Sequence, residues 1–152
     1  MIEETLQKLG LTLPQAAAPA ANYVPSVRHG DLLFISGQLP LVDGKLFATG
    51  KLGAEVDLET GQQAARHCAL NILAQLNRAI DGDWSKFVRI VKLTSFVNST
   101  PEFADHHLVT NGCSDLLGEV LGDAGRHSRS AVGMGNLPLN AAVEIEAIIG
   151  LR

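Results

Sequence analysis

Residues 58–80 place Ala65, Cys68, Ala69, Ile72, Leu76 and Ala79 on one stripe, with Gln62, Arg66, Gln75 and Arg78 mostly off it. That is the spacing of an amphipathic helix. Asp57 or Thr60 can cap its start, Thr60 and Gln63 fit a capping box, and Asp81-Gly82 ends it. A helix this long with one apolar face must lie on a partner surface, and the flanking segments are β-like. They fix the class: an α+β chain whose helices cover a sheet.

Upstream, residues 2–9 can form a short helix with Ile2, Leu6 and Leu9 on one side, and the Ala- and Pro-rich stretch 14–25 reads as an extended connector. Two short β runs around Gly30-Asp31 predict a hairpin, and a third β segment over 41–47 has Asp43-Gly44 as its turn. Downstream, residues 87–97 alternate as a central strand with apolar residues on both faces. Thr100-Pro101-Glu102 then reads as a helix start, with a bend or restart at Asn111-Gly112 before 114–120. The chain closes on an expected hairpin carrying Arg129 in one strand and Glu144 and Glu146 in the other. The two main helices fall on one sheet face, so a second copy of the chain is the expected cover for the other.

With 152 residues the chain is read as one domain, 1–152, in which 1–22 form the N-terminal helix and connector. Its formal charge of -4 argues against a surface built for nucleic acid, and no apolar run approaches the roughly 20 residues of a membrane span. A cytoplasmic protein is expected. Cys68 and Cys113 stand far apart with no CxxC spacing and read as buried thiols. No metal site is expected, because His106 and His107 are adjacent and diverge on a helix. Gly133-Met134-Gly135 lacks the third glycine of a nucleotide loop, and no Gly-x-Ser-x-Gly elbow occurs.

Arg129 is the residue whose chemistry stands out. A guanidinium among apolar neighbours calls for an anion, and its planar fork fits a carboxylate. Glu144 and Glu146, two apart on a strand, share a face. The pair reads either as a carboxylate pocket with an acid beside it or as an Arg129–Glu144 ion pair stitching strands or subunits.

Asn22-Tyr23, Gly30-x-Leu-Leu-Phe-Ile-Ser36-Gly37-Gln38-x-Pro40, the Ala-rich helix, Arg129-Ser-x-Val132 before Leu137-Pro138, and Glu144-Ile-Glu146 together resemble the Rid family. These are the YjgF-like reactive-intermediate deaminases, also described as endoribonuclease L-PSP. The resemblance runs from about Tyr23 to Arg152 and leaves the N-terminal helix outside. It implies a chorismate-mutase-like mixed sheet assembled as a homotrimer, with pockets between subunits and no cofactor. It implies that Arg129 grips the carboxylate of a 2-imino acid and Glu144 places or activates water. Tyr23 would close the pocket, and backbone near Ser36 and Gly37 would border it. Hydrolysis would give a 2-oxo acid and ammonia.

Three positions depart from the pattern. Ala131 stands where a cysteine is usual, and His107 where an asparagine is usual. Arg126 and His127 add ionisable groups beside Arg129, as a lid or a solvated loop. Three functions follow from these residues: an imine deaminase, a non-catalytic carboxylate-binding trimer that senses or carries a 2-oxo acid, and an endoribonuclease. The last is favoured only by the cluster from Arg126 to Arg129, and the acidic balance opposes it.

Overall fold

Glycine-bearing two-residue turns set the first strands. The computed structural model describes residues 2–19 and 21–152. After α1 (Ile2–Lys8) and the connector come β1 (Ser26–His29) and β2 (Leu32–Gln38), joined through Gly30 at φ 60. A glycine with positive φ at the first turn position is what a type II′ hairpin needs. The segment expected as a third β run is instead a separate small hairpin, β3 (Leu41–Val42) and β4 (Lys45–Leu46). Asp43 and Gly44 both have positive φ there, as a type I′ turn requires.

Then follow α2 (Leu58–Ala79), β5 (Phe87–Asn98), α3 (His106–Leu121), β6 (Ser128–Met134) and β7 (Val143–Leu151). The main sheet has the order β1-β2-β7-β5-β6. All its pairs are antiparallel except β5 with β6, which α3 connects as a crossover. The closing segment is therefore not a hairpin, because β6 and β7 lie on either side of β5. The connection 135–142 is too long for a tight turn and is tied to the end of β5. Asn98 donates from Nδ2 to Asn140 Oδ1 and to the Ala141 carbonyl, both at 3.1 Å.

Asp57 caps α2 by accepting from the Thr60 amide at 2.8 Å, so the Thr60–Gln63 box is not the cap. The expected stripe is buried except for Ala79, which is exposed at the last helical position. Gln75, expected off the stripe, is buried because the connector crosses it: its Nε2 donates to the Ala17 carbonyl at 2.7 Å. Asn71 likewise donates to the carbonyls of Leu39 and Leu41. Both sides of α2 are thus covered, one by the sheet and one by loops.

The second main helix starts at His106 and not at Thr100. The Thr100 amide is already bound to the Leu52 carbonyl, in a short bridge that holds the chain extended past β5. Nor does α3 break at Gly112. That glycine lies against α2, where an added Cβ would sit 2.0 Å from the Gln62 carbonyl oxygen.

α2 and α3 pack on one sheet face with Leu93, Val97, Ile145 and Ile149 beneath them. Cys68 and Cys113 are buried in this layer, and burial pushes the Cys113 thiol up to about 12. The opposite face leaves Val27, Phe34 and Val132 exposed at 53, 42 and 41%. Among the described residues no helix is long and apolar enough to cross a membrane.

Gly112→Ala should destabilise the chain by about 1–3 kcal/mol, the usual range for overpacking. A lowered urea midpoint is expected; an unchanged one would mean that the helices part without cost.

Candidate functional site

Arg129 is the second residue of β6, in the sheet row of Leu93 and Ala147, and so faces the helices. Its Nη1 donates to Ser114 Oγ at 3.0 Å and its Nη2 to the His107 carbonyl at 3.1 Å, both on α3. Ser114 Oγ lies 2.9 Å from His127 Nε2, and His127 Nδ1 lies 2.6 Å from the Gly125 carbonyl. A carbonyl only accepts, so Nδ1 carries the hydrogen and Nε2 accepts from the Ser114 hydroxyl. The result is a directional relay: Arg129 donates to Ser114, Ser114 to His127, and His127 to Gly125. Burial lowers the His127 pKa and the nearby Arg129 charge lowers it further; the hydrogen bond to Gly125 opposes them, and the net shift favours the neutral ring.

These groups line an open cavity of about 430 Å³ with Gly118 and Arg126. Arg126 itself is solvent-facing and pairs with Asp123 at 3.5 Å. Among the described residues no carboxylate pairs with Arg129. His127 is thus not a solvated loop residue: it is half-buried and holds Ser114, which in turn accepts from the arginine. His107 contributes its carbonyl while its side chain is exposed. Ala131 is half-buried on the same face, opposite Ser95.

Glu144 lies on the other sheet face, in the row of Phe96. A register shift in β2 between Ile35 and Gln38 brings Gly37 under its carboxylate, where a Cβ would come 2.1 Å from Glu144 Oε1. Any side chain at Gly37 would displace the acid. Burial raises the Glu144 pKa, and Glu146 on the same face raises it further. Ser36 donates from Oγ to the Pro25 carbonyl at 3.2 Å. Half-exposed Tyr23 joins Pro25, Ser36, Gly37 and Leu139 around a cavity of about 140 Å³.

The expected residues therefore form two groups. Ser36, Gly37, Tyr23 and Glu144 gather around β2 and β7. Arg129, Ala131, His107 and His127 gather around the β6 edge. Two strand spacings, roughly 10 Å, and the thickness of the sheet separate Arg129 from Glu144. The Arg129–Glu144 ion pair does not form within one chain, nor is the acid beside the guanidinium. Ser114 escaped the sequence reading, although it stands two helical turns after His107 and so on the same face of α3. Among the described residues no group of three or more His, Cys, Asp or Glu is placed to hold a metal.

The model of the family described as YjgF/chorismate mutase-like, proposed endoribonuclease, matches residues 3–149. The N-terminal helix thus falls inside the match, although the motifs had left it outside. Protein TCP17 of Trypanosoma cruzi is 48% identical, over 99% of this chain and 94% of that protein. The 2-iminobutanoate/2-iminopropanoate deaminase of Dermatophagoides farinae is 26% identical, over 91% of this chain and 93% of that one. Among solved structures, Atu1372 of Agrobacterium tumefaciens superposes with a TM-score of 0.94 at 53% identity, over 99% of this chain and 92% of its own. E. coli TdcF with bound serine gives 0.65 at 26% identity, over 91% and 94%.

A carboxyl whose folded pKa is raised takes up its proton more readily in the folded state than in the unfolded one. Stability then falls as pH rises from the ordinary value of 4.5 through the raised one, and the ionised group is a net cost above it. Glu144→Gln should therefore be more stable than the parent near pH 8, with the gain shrinking toward about pH 4. Urea unfolding across pH tests this; a gain independent of pH would rule out ionisation as its source.

Proposed function

Because the chain belongs to the YjgF/chorismate mutase-like family, we propose that it hydrolyses small 2-imino acids to 2-oxo acids and ammonia, at a site shared between copies in a homotrimer. The observation that carries this reading is the state of Arg129. Its guanidinium is held by two neutral oxygens on the wall of an open cavity, with no carboxylate paired to it among the described residues. A positioned, unneutralised fork is suited to a ligand carboxylate. The deaminase name of the D. farinae relative and the serine bound to TdcF support a small carboxylate-bearing ligand.

Arg129 and Glu144 face away from each other in one chain, so both can reach one ligand only if they come from neighbouring copies. The uncovered apolar sheet face and the exposed β6 edge favour such an assembly. At the shared site Arg129 holds the carboxylate and fixes the imine carbon near Glu144. Water adds its oxygen to the carbon of the protonated imine while Glu144 takes a proton from the water, and the C=N electron pair moves to nitrogen, which becomes a neutral amine. Glu144 then returns its proton to nitrogen, the C–N bond breaks with its electron pair leaving on ammonia, and the hydroxyl gives its proton to Glu144 as it becomes the carbonyl. No protein nucleophile enters, so Ala131 in place of a thiol leaves every step intact. Tyr23 and the backbone at Ser36 and Gly37 border the ligand. The raised pKa of Glu144 brings it toward the range of a general base.

A second reading, a non-catalytic carrier of 2-oxo acids, uses the same arginine, whose hold by two neutral oxygens serves binding alone as well as turnover. Ribonuclease action would lean on Arg126 and His127, but His127 is engaged with Ser114 and Gly125.

The test is release of ammonia and 2-oxo acid from 2-iminopropanoate and 2-iminobutanoate generated in situ. Arg129→Ala should lose roughly 10–100-fold, as expected for a charge-assisted contact. Glu144→Gln should lose about 10²-fold or more. Activity should fall on acidification, with its midpoint above the ordinary glutamate value of 4.5, because the base must be ionised. Arginine-dependent binding of 2-oxo acid without ammonia release would favour the carrier. A monomer by light scattering would remove the shared site.

A further inference from the structure

We infer that the cleft at the ends of β5 and β6 is a second ligand site, built for a small organic anion and independent of Arg129. Its volume is about 590 Å³, within the range of small-molecule pockets. Lys51, Ser99, Phe103, His106, Gly133 and Met134 line it. None of these lines the Arg129 cavity. Gly133 and Arg129 are four residues apart on one strand, a separation of roughly 13 Å.

The charge comes from Lys51. Its ammonium donates to Asn98 Oδ1 at 2.9 Å and to the Gly135 carbonyl, two neutral acceptors. Asn98 is fully buried, and its other amide atom is fixed by Asn140 and Ala141, so the oxygen that holds Lys51 cannot turn away. The nearby Glu55 carboxylate accepts from the Lys51 backbone amide at 2.8 Å and not from the ammonium. Two of the three ammonium hydrogens are thus used, and one remains for an anion.

The polar floor beside it is equally specific. Ser99 Oγ and His106 Nε2 lie 3.2 Å apart. A Cβ on Gly133 would come 2.5 Å from that ring nitrogen and 2.8 Å from the hydroxyl, so a side chain there would displace the pair. One hydrogen is used within this pair: in the tautomer in which Nε2–H donates to Ser99, the hydroxyl keeps its own hydrogen for an anion. Phe103, edge-on to His106 with ring centres 5.4 Å apart, and Met134 provide apolar wall for an organic body. The chemistry is that of a carboxylate or phosphate on an apolar frame.

Benzoate and phenyl phosphate, titrated separately into the full-length protein, test the site, with binding followed by calorimetry and by the His106 ring resonances. Saturable binding that shifts His106 is expected, weakened about tenfold or more in Lys51→Met and retained in Arg129→Ala. The tighter probe identifies the anionic group. If Lys51→Met does not fold, His106→Gln must show the weakening by calorimetry instead. Unchanged affinity in the cleft variants, loss in Arg129→Ala, or absence of a saturable His106 shift with either anion would overturn the assignment. Because imine turnover is not measured, failure of the deaminase reading leaves this result standing, and the reverse also holds.

Discussion

The close approach of α2 and α3 governs the geometry of the rest. At Gly112 there is no room for even a methyl group beside the Gln62 carbonyl, and the Gln62 side chain donates to the Leu108 carbonyl at 3.0 Å. One residue of α2 thus grips α3 at two points a turn apart. That grip sets where His107 and Ser114 stand over β6, and these are the groups that hold Arg129. A shift of α3 by a fraction of an ångström would be felt at the guanidinium, because close-packed layers transmit displacement. The arginine's position is a consequence of helix packing more than of its own strand.

Local features were legible in the sequence wherever the physics is local. The stripe of α2, the Gly30 turn and the burial of both cysteines follow from periodicity and residue size. What failed depends on contacts distant along the chain. Thr100 has every mark of a helix start, but its amide is bound to Leu52, about a third of the chain length upstream. Residues 128–134 and 143–151 look like a hairpin, yet β5 lies between them, and no local pattern reports a strand inserted from elsewhere. Gln75 looks solvent-facing until the connector is laid over it.

The candidate site divides in the same way. Arg129 and Glu144 stood out as candidates in the sequence because charge in an apolar strand is costly wherever the strand lies. Their relation was not, because the face a strand residue occupies depends on register, and one residue of slip reverses it. The shared face of Glu144 and Glu146 was legible, being set by parity within one strand, and it contributes to the raised pKa of Glu144. Ser114 and Asn98 were passed over because neutral polar residues carry no sequence-level cost to draw attention.

Those neutral residues make the cations usable. A carboxylate opposite Arg129 or Lys51 would fix the side chain but also neutralise it, and a ligand anion would have to displace it. A hydroxyl, a carbonyl or an amide oxygen fixes the geometry while leaving the charge intact. In Arg129 this comes from Ser114 and His107, and in Lys51 from Asn98 and Gly135. The two side-chain partners are in turn held by other groups: Ser114 by His127, and Asn98 by Asn140 and Ala141. The arrangement places a positive charge that is ion-paired with no carboxylate among the described residues at each of two cavities, in a chain whose net charge is -4. Binding an anion at either cavity then requires little side-chain reorganisation, which is the condition under which a small ligand retains most of its interaction energy.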